Sequence, residues 1–167
     1  MTRLQNAQLN RMQEILASKE NFYRSRMQLR NRQHREMQRR VNQLRGALAQ
    51  AKAKRNATRA RELQMKIAQH KKEANQARRK KKQLQVNVMQ VRVQRSEHKI
   101  KKIQVKRQQL TVAKKKAVKK QDQQKLKELA RKLGRLAGLQ AAASQEVARE
   151  KKKLAKARLV LSNDKLE

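Results

Sequence analysis

The chain has 167 residues, with 48 Lys and Arg against 12 Asp and Glu, a formal net charge of +36 and a pI near 11.8. One Phe, one Tyr and no Trp leave too little bulk for a thick globular core, and the absence of Cys excludes disulfides, thiolate metal ligands and a cysteine nucleophile. No apolar run approaches the roughly 20 residues of a membrane span, and Met1 to Leu16 lacks the continuous apolar stretch of a signal peptide.

Proline is absent, glycine occurs only at 46, 134 and 138, and good helix formers make up most of the chain. The expectation is an all-α protein of long, elongated helices. They pack through narrow heptad-like stripes in the manner of a coiled coil, within the chain or against copies or partners. Three segments follow: an amphipathic, Arg-rich stretch over 1–55, a highly basic one over 56–120, and a heptad helix over 121–167.

Leu4, Leu9, Met12, Ile15, Leu16 and Phe22 recur at helical spacing and predict a packing face. From Tyr23 a regular seam begins, stepping by fours and threes through Met27, Arg30, His34, Met37, Val41, Leu44, Leu48 and Ala51. Around it lie Arg32, Arg35, Arg39 and Arg40, with no lysine between Tyr23 and Ala51. Arginine's planar fork grips phosphate or carboxylate bidentately, whereas lysine acts as a point charge. These arginines therefore form a candidate binding face.

The seam fails over 52–58, where a turn is expected, with Asn56 or Thr58 capping the next helix. A second seam runs through Leu63, Ile67, His70, Ala74, Ala77, Lys81, Leu84, Val88 and Val91. It crosses the basic block Arg78, Arg79, Lys80, Lys81 and Lys82, so one strip of that block should face a neighbouring helix.

Residues 84–113 carry two patterns. Val86, Val88, Val91, Val93, Ile103 and Val105 alternate with polar residues and are β-branched, as in short half-buried strands. The intervening Arg95–Lys99 and Lys106–Gln109 lack every strong turn former, which favours helix. A short β segment here is the competing expectation. The last stripe is strict: Leu126, Leu129, Leu133, Leu136, Gln140, Ala143, Val147, Glu150, Leu154, Ala157 and Leu161. A helix of about 36 residues, roughly 54 Å long, should stop at Ser162, Asn163 and Asp164. Gly134 and Gly138 fall off the stripe and would permit close approach of another backbone.

Charge concentrates in the middle, at +11 over 1–55, +18 over 56–119 and +7 over 120–167. Between Glu97 and Asp122 there is no acid, but there are Lys99, Lys101, Lys102, Lys106, Arg107, Lys114, Lys115, Lys116, Lys119 and Lys120. Like charges repel in any conformation, so such a run points to a polyanionic partner. The candidate contact set is Arg32, Arg35, Arg39, Arg40, the block 78–82, Lys101, Lys102, Lys106, Arg107, Lys114, Lys115, Lys116, Lys119 and Lys120.

Catalysis has no comparable signature. The acids are scattered beside basic residues three or four positions away, and there is no Gly-rich phosphate loop, GxSxG or zinc-ligand spacing. His34, His70 and His98 read as polar interruptions of seams, not as metal ligands. The expectation is a non-enzymatic structural protein without cofactor or metal. It binds DNA or RNA through phosphates, regardless of base sequence, inside a nucleoprotein particle. Its compartment is then the intracellular or virion compartment of the nucleic acid. The alternative partner is an acidic protein filament such as a microtubule.

Overall fold

The computed structural model of the protein describes residues 3–119 and 121–163, and nearly all of them are helical. Helix α1 spans Arg3–Ala53, α2 spans Ala57–Lys119 and α3 spans Gln123–Asn163. Asp164, expected in the final helix stop, lies outside the described residues.

Both reversals of chain direction use the same local chemistry. Arg55 adopts the left-handed region at φ 53°. Its N–H donates to the Lys52 carbonyl while the Asn56 N–H donates to the Ala51 carbonyl, each at 3.0 Å. Gln121 repeats this at φ 54°, with Gln121 donating to Val118 at 3.0 Å and Asp122 to Ala117 at 3.2 Å. These are the paired bonds of a Schellman ending, which satisfy the last helical carbonyls. The next residue then caps the following helix: Asn56 Oδ1 accepts from the Arg59 N–H and Asp122 Oδ1 from the Lys125 N–H, both at 3.0 Å. The turn expected over 52–58 is present, and Asn56 is its cap.

The residues gather into two compact units to which the same helices contribute. One is a three-helix unit made of 1–21, 89–119 and the part of α3 up to Lys156. The other is a hairpin unit made of 22–88 with the end of α3. In the hairpin unit the two expected seams meet: Val41, Ala51, Leu63, Ile67, Ala74 and Ala77 are buried, and His34 Nδ1 donates to the Ala74 carbonyl at 3.1 Å. Ala74 is only 2% exposed, and its small side chain lets that carbonyl come within reach of α1.

The β expectation for 84–113 is overturned: the whole stretch is helix. Val86, Val88, Val91 and Val93 are all buried, yet positions two apart lie on nearly opposite sides of a helix. In the three-helix unit the reason is direct, because α2 packs on two partners. Arg95, His98 and Lys102 reach α1 at Glu20, Leu9 and Asn10, while Ser96 and Arg107 reach α3 at Glu146 and Gln140. Two helical stripes interleaved on one element mimic a period of two.

Two further expectations are corrected. A Cβ built on Gly134 or Gly138 would meet nothing within 4 Å, so neither glycine serves a close backbone approach. At the start of α1, Leu16 is buried and Leu9 half-buried, but Leu4, Met12, Ile15 and Phe22 are exposed. The apolar residues share one side of the helix, but the buried face is rotated from it and centres on Gln13, Leu16 and Glu20, which leaves Leu4, Met12, Ile15 and Phe22 outside. The α3 stripe holds throughout, with Leu129, Ala143, Val147 and Leu154 buried and the rest half-buried.

Candidate nucleic-acid interface

Because a helix turns by about 100° per residue, neighbours in sequence are not neighbours on the surface. The block 78–82 is spread around α2. Lys81 turns into the seam and donates to Asn31 Oδ1 at 2.8 Å, Lys82 is half-buried, and Arg78, Arg79 and Lys80 leave in three other directions. On α1, Arg32, Arg35, Arg39 and Arg40 are exposed, and Arg40 pairs with Glu36 at 2.7 Å.

In the three-helix unit the candidate cations divide in the same way. Lys101, Lys106, Lys114, Lys115, Lys116 and Lys119 are exposed. Lys102 and Arg107 are tethered, donating to Asn10 Oδ1 at 2.7 Å and to Gln140 Oε1 at 2.5 Å. Lys120 lies outside the described residues.

The acids explain why so many cations remain exposed. Glu20 is 3% exposed and sits between Arg92 and Arg95, accepting from Arg92 Nε at 2.9 Å and from Arg95 Nη1 at 2.5 Å. Glu146 accepts from the Ser96 hydroxyl at 3.3 Å and lies 3.6 Å from Lys99 Nζ. Glu97 pairs with Lys151 across helices at 2.8 Å. Each of these ties one helix to another, and none projects a bare negative charge into solvent.

Five further acids pair within their own helix: Glu36 with Arg40, Glu62 with Arg59, Glu73 with His70, Glu128 with Lys132 and Glu150 with Lys153. The His70 hydrogen bond, aided by Gln69, holds the Glu73 carboxyl below the usual carboxylate value; Lys132 does the same for Glu128. Both carboxyls are thereby held in their ionised form.

The Arg92 and Arg95 clamp is absent from the candidate set above. Its partner lies 72 and 75 residues away, so no local spacing could reveal it. The histidines tie elements together: His34 and His98 donate to helix carbonyls at Ala74 and Leu9, and His70 pairs with Glu73. Among the described residues, no group of three His, Cys, Asp or Glu is placed to hold a metal ion, and no helix is long and apolar enough to cross a membrane.

Phe22 and Tyr23 meet edge to face, with centroids 5.6 Å apart, and the Arg26 guanidinium lies 5.3 Å from the centre of the Phe22 ring. That ring is already covered on one side by a cation of its own chain. The site is therefore a field of exposed Lys and Arg on helices, with little aromatic surface on which a base could stack. Compared with protein-family models, curated proteins and solved structures, the chain matches none.

Proposed function

We propose that this chain is a non-enzymatic structural protein that binds DNA or RNA through phosphates, without base specificity, and packages or scaffolds it in a nucleoprotein particle. The observation that carries the reading is the division of charge. Most of the described acids are engaged by cations of the same chain, as Glu20 is by Arg92 and Arg95, while Arg32, Arg35, Lys101, Lys106 and Lys114 to Lys116 stay exposed. Phosphate contacts position a protein without reading sequence. Base stacking needs aromatic platforms, which one Phe and one Tyr do not supply. The four-three spacing of the buried residues supports coiled-coil-like packing as the scaffold that holds these charges in place.

Binding measured by fluorescence anisotropy across a salt series tests the reading. With about eight phosphates engaged, log affinity falls against log salt with a slope near −7. Affinity is similar for unrelated sequences of equal length. An affinity nearly independent of salt, or confined to one short sequence, overturns the proposal. Pelleting with an acidic protein filament despite excess nucleic acid would instead place the partner among proteins.

A further inference from the structure

In the hairpin unit the charges are sorted by face. Residues 22–88 hold 21 basic and 3 acidic residues, and the acids are Glu36, Glu62 and Glu73. Positions seven apart return to nearly the same side of a helix. On α2, Arg59, Lys66, Glu73 and Lys80 form one such row, with Glu62 beside it. On α1, Arg26, Gln33 and Arg40 form the row that adjoins it. Two contacts place these rows on one flank: Phe22, Arg26 and Arg30 line a cleft with Lys80, Gln83 and Leu84, and Arg40 is near enough to Glu73 to help lower its pKa. Glu36 leans toward the same side through its pair with Arg40.

Among the described residues of 22–88, the opposite flank contains no acid. Its rows are Gln28, Arg35 and Asn42 on α1, and Gln64, Lys71, Arg78 and Gln85 on α2; all seven side chains are exposed. The His34 to Ala74 contact sets the register, so Arg35 falls between Lys71 and Arg78 along the axis. Three cations thus occupy about 10 Å of helix axis, a length over which one strand of a DNA duplex presents about three phosphates at ~3.4 Å each. The flanking amides add hydrogen-bond donors for phosphate oxygens. Tyr23 lies half-buried at the seam and Phe22 lines the cleft of the acid-bearing flank, so the acid-free flank offers no ring on which an unstacked base could rest.

We infer that the acid-free flank of the hairpin, centred on Arg35, Lys71 and Arg78, is the surface that lies against the phosphate backbone of a nucleic-acid duplex. The inference rests on the nucleic-acid reading above and narrows it to one face. It predicts that the position of a charge counts as well as the total.

The test compares two triple variants of the full chain that lose the same charge, R35Q/K71Q/R78Q on the acid-free flank and R40Q/K66Q/K80Q on the other. Each is titrated against a mixed-sequence DNA duplex and against one of its single strands across a salt series. At 0.1 M salt the first triple loses affinity for the duplex by on the order of 100-fold, and its salt slope flattens by nearly three, as removal of three phosphate contacts requires. The second loses less than about fivefold. A charge-preserving variant, R35K/K71R/R78K, retains wild-type affinity within a few-fold, which separates lost charge from lost fold; circular dichroism of all three checks helicity.

Equal losses in the two triples overturn the face assignment while leaving phosphate binding intact. Tighter binding of the single strand than of the duplex overturns the duplex assignment. A wild-type chain that binds neither removes this inference together with the reading it rests on.

Discussion

Glu20 shows how much one side chain can be asked to do in a chain with so few acids. It is a buried carboxylate on α1, and the arginines that hold it come from successive turns of α2, at 2.9 and 2.5 Å. A buried ion pair contributes little net when set against an apolar replacement, but removing one partner leaves the other charges uncompensated. Arg92 and Arg95 are each about two-fifths exposed and keep part of their hydration, which lowers that penalty. Glu20→Gln should therefore destabilise the protein by about 2 kcal/mol in chemical denaturation. Arg92→Gln should cost less, because Arg95 still pairs with the carboxylate. A loss below ~0.5 kcal/mol for Glu20→Gln would show that the clamp does not hold the unit together.

At the scale of the element, α2 and α3 differ in how openly their packing is written. Helix α3 has a single stripe, and every member of it from Leu126 to Leu161 is buried or half-buried. Helix α2 carries two stripes in its second half, and their superposition imitates a strand. What favours helix there is negative evidence: residues 95–109 contain no Gly, Pro, Asn or Asp to turn a hairpin. Gly134 and Gly138 interrupt α3 without a packing reason, since a methyl group at either position meets open space. Glycine in a helix interior costs roughly 1 kcal/mol relative to alanine. Gly134→Ala and Gly138→Ala should each raise stability by about that amount, and together by nearly twice it, as read from denaturant midpoints. A destabilising effect of either would mean that its neighbourhood is occupied in solution.

For the whole molecule, the dominant energy outside the seams is self-repulsion. With a net charge of +36, the paired acids cannot offset the field of the remaining cations, and compactness is opposed at low ionic strength. Screening shortens the range of that repulsion from about 30 Å at 0.01 M salt to about 10 Å at 0.1 M. The melting temperature should therefore rise with salt over this range, by on the order of 5 °C, corresponding to about 2 kcal/mol for a chain of this size. Heating scans by circular dichroism at the two ionic strengths check it. A melting temperature that falls as salt is added would mean that the ion pairs outweigh the repulsion.

Residue order alone determined the helical class, the seams of the hairpin and α3, and a turn within 52–58, capped by Asn56 or Thr58. Each depends on interactions within a few residues along the chain: backbone bonds to the preceding turn, the return of a side chain to the same face after seven residues, and a cap three residues before its donor. Tertiary structure alone decided that, in the three-helix unit, α2 packs on two helices and so buries both Val91 and Val93. It also gave Glu20 its partners, 72 and 75 residues distant. In the same way it split the block 78–82 among seam, flanks and outer ridge. Periodicity shows which residues of a helix share a face, but not which other helix meets that face. Only the docked partner fixes which rows of charge remain free to meet a ligand.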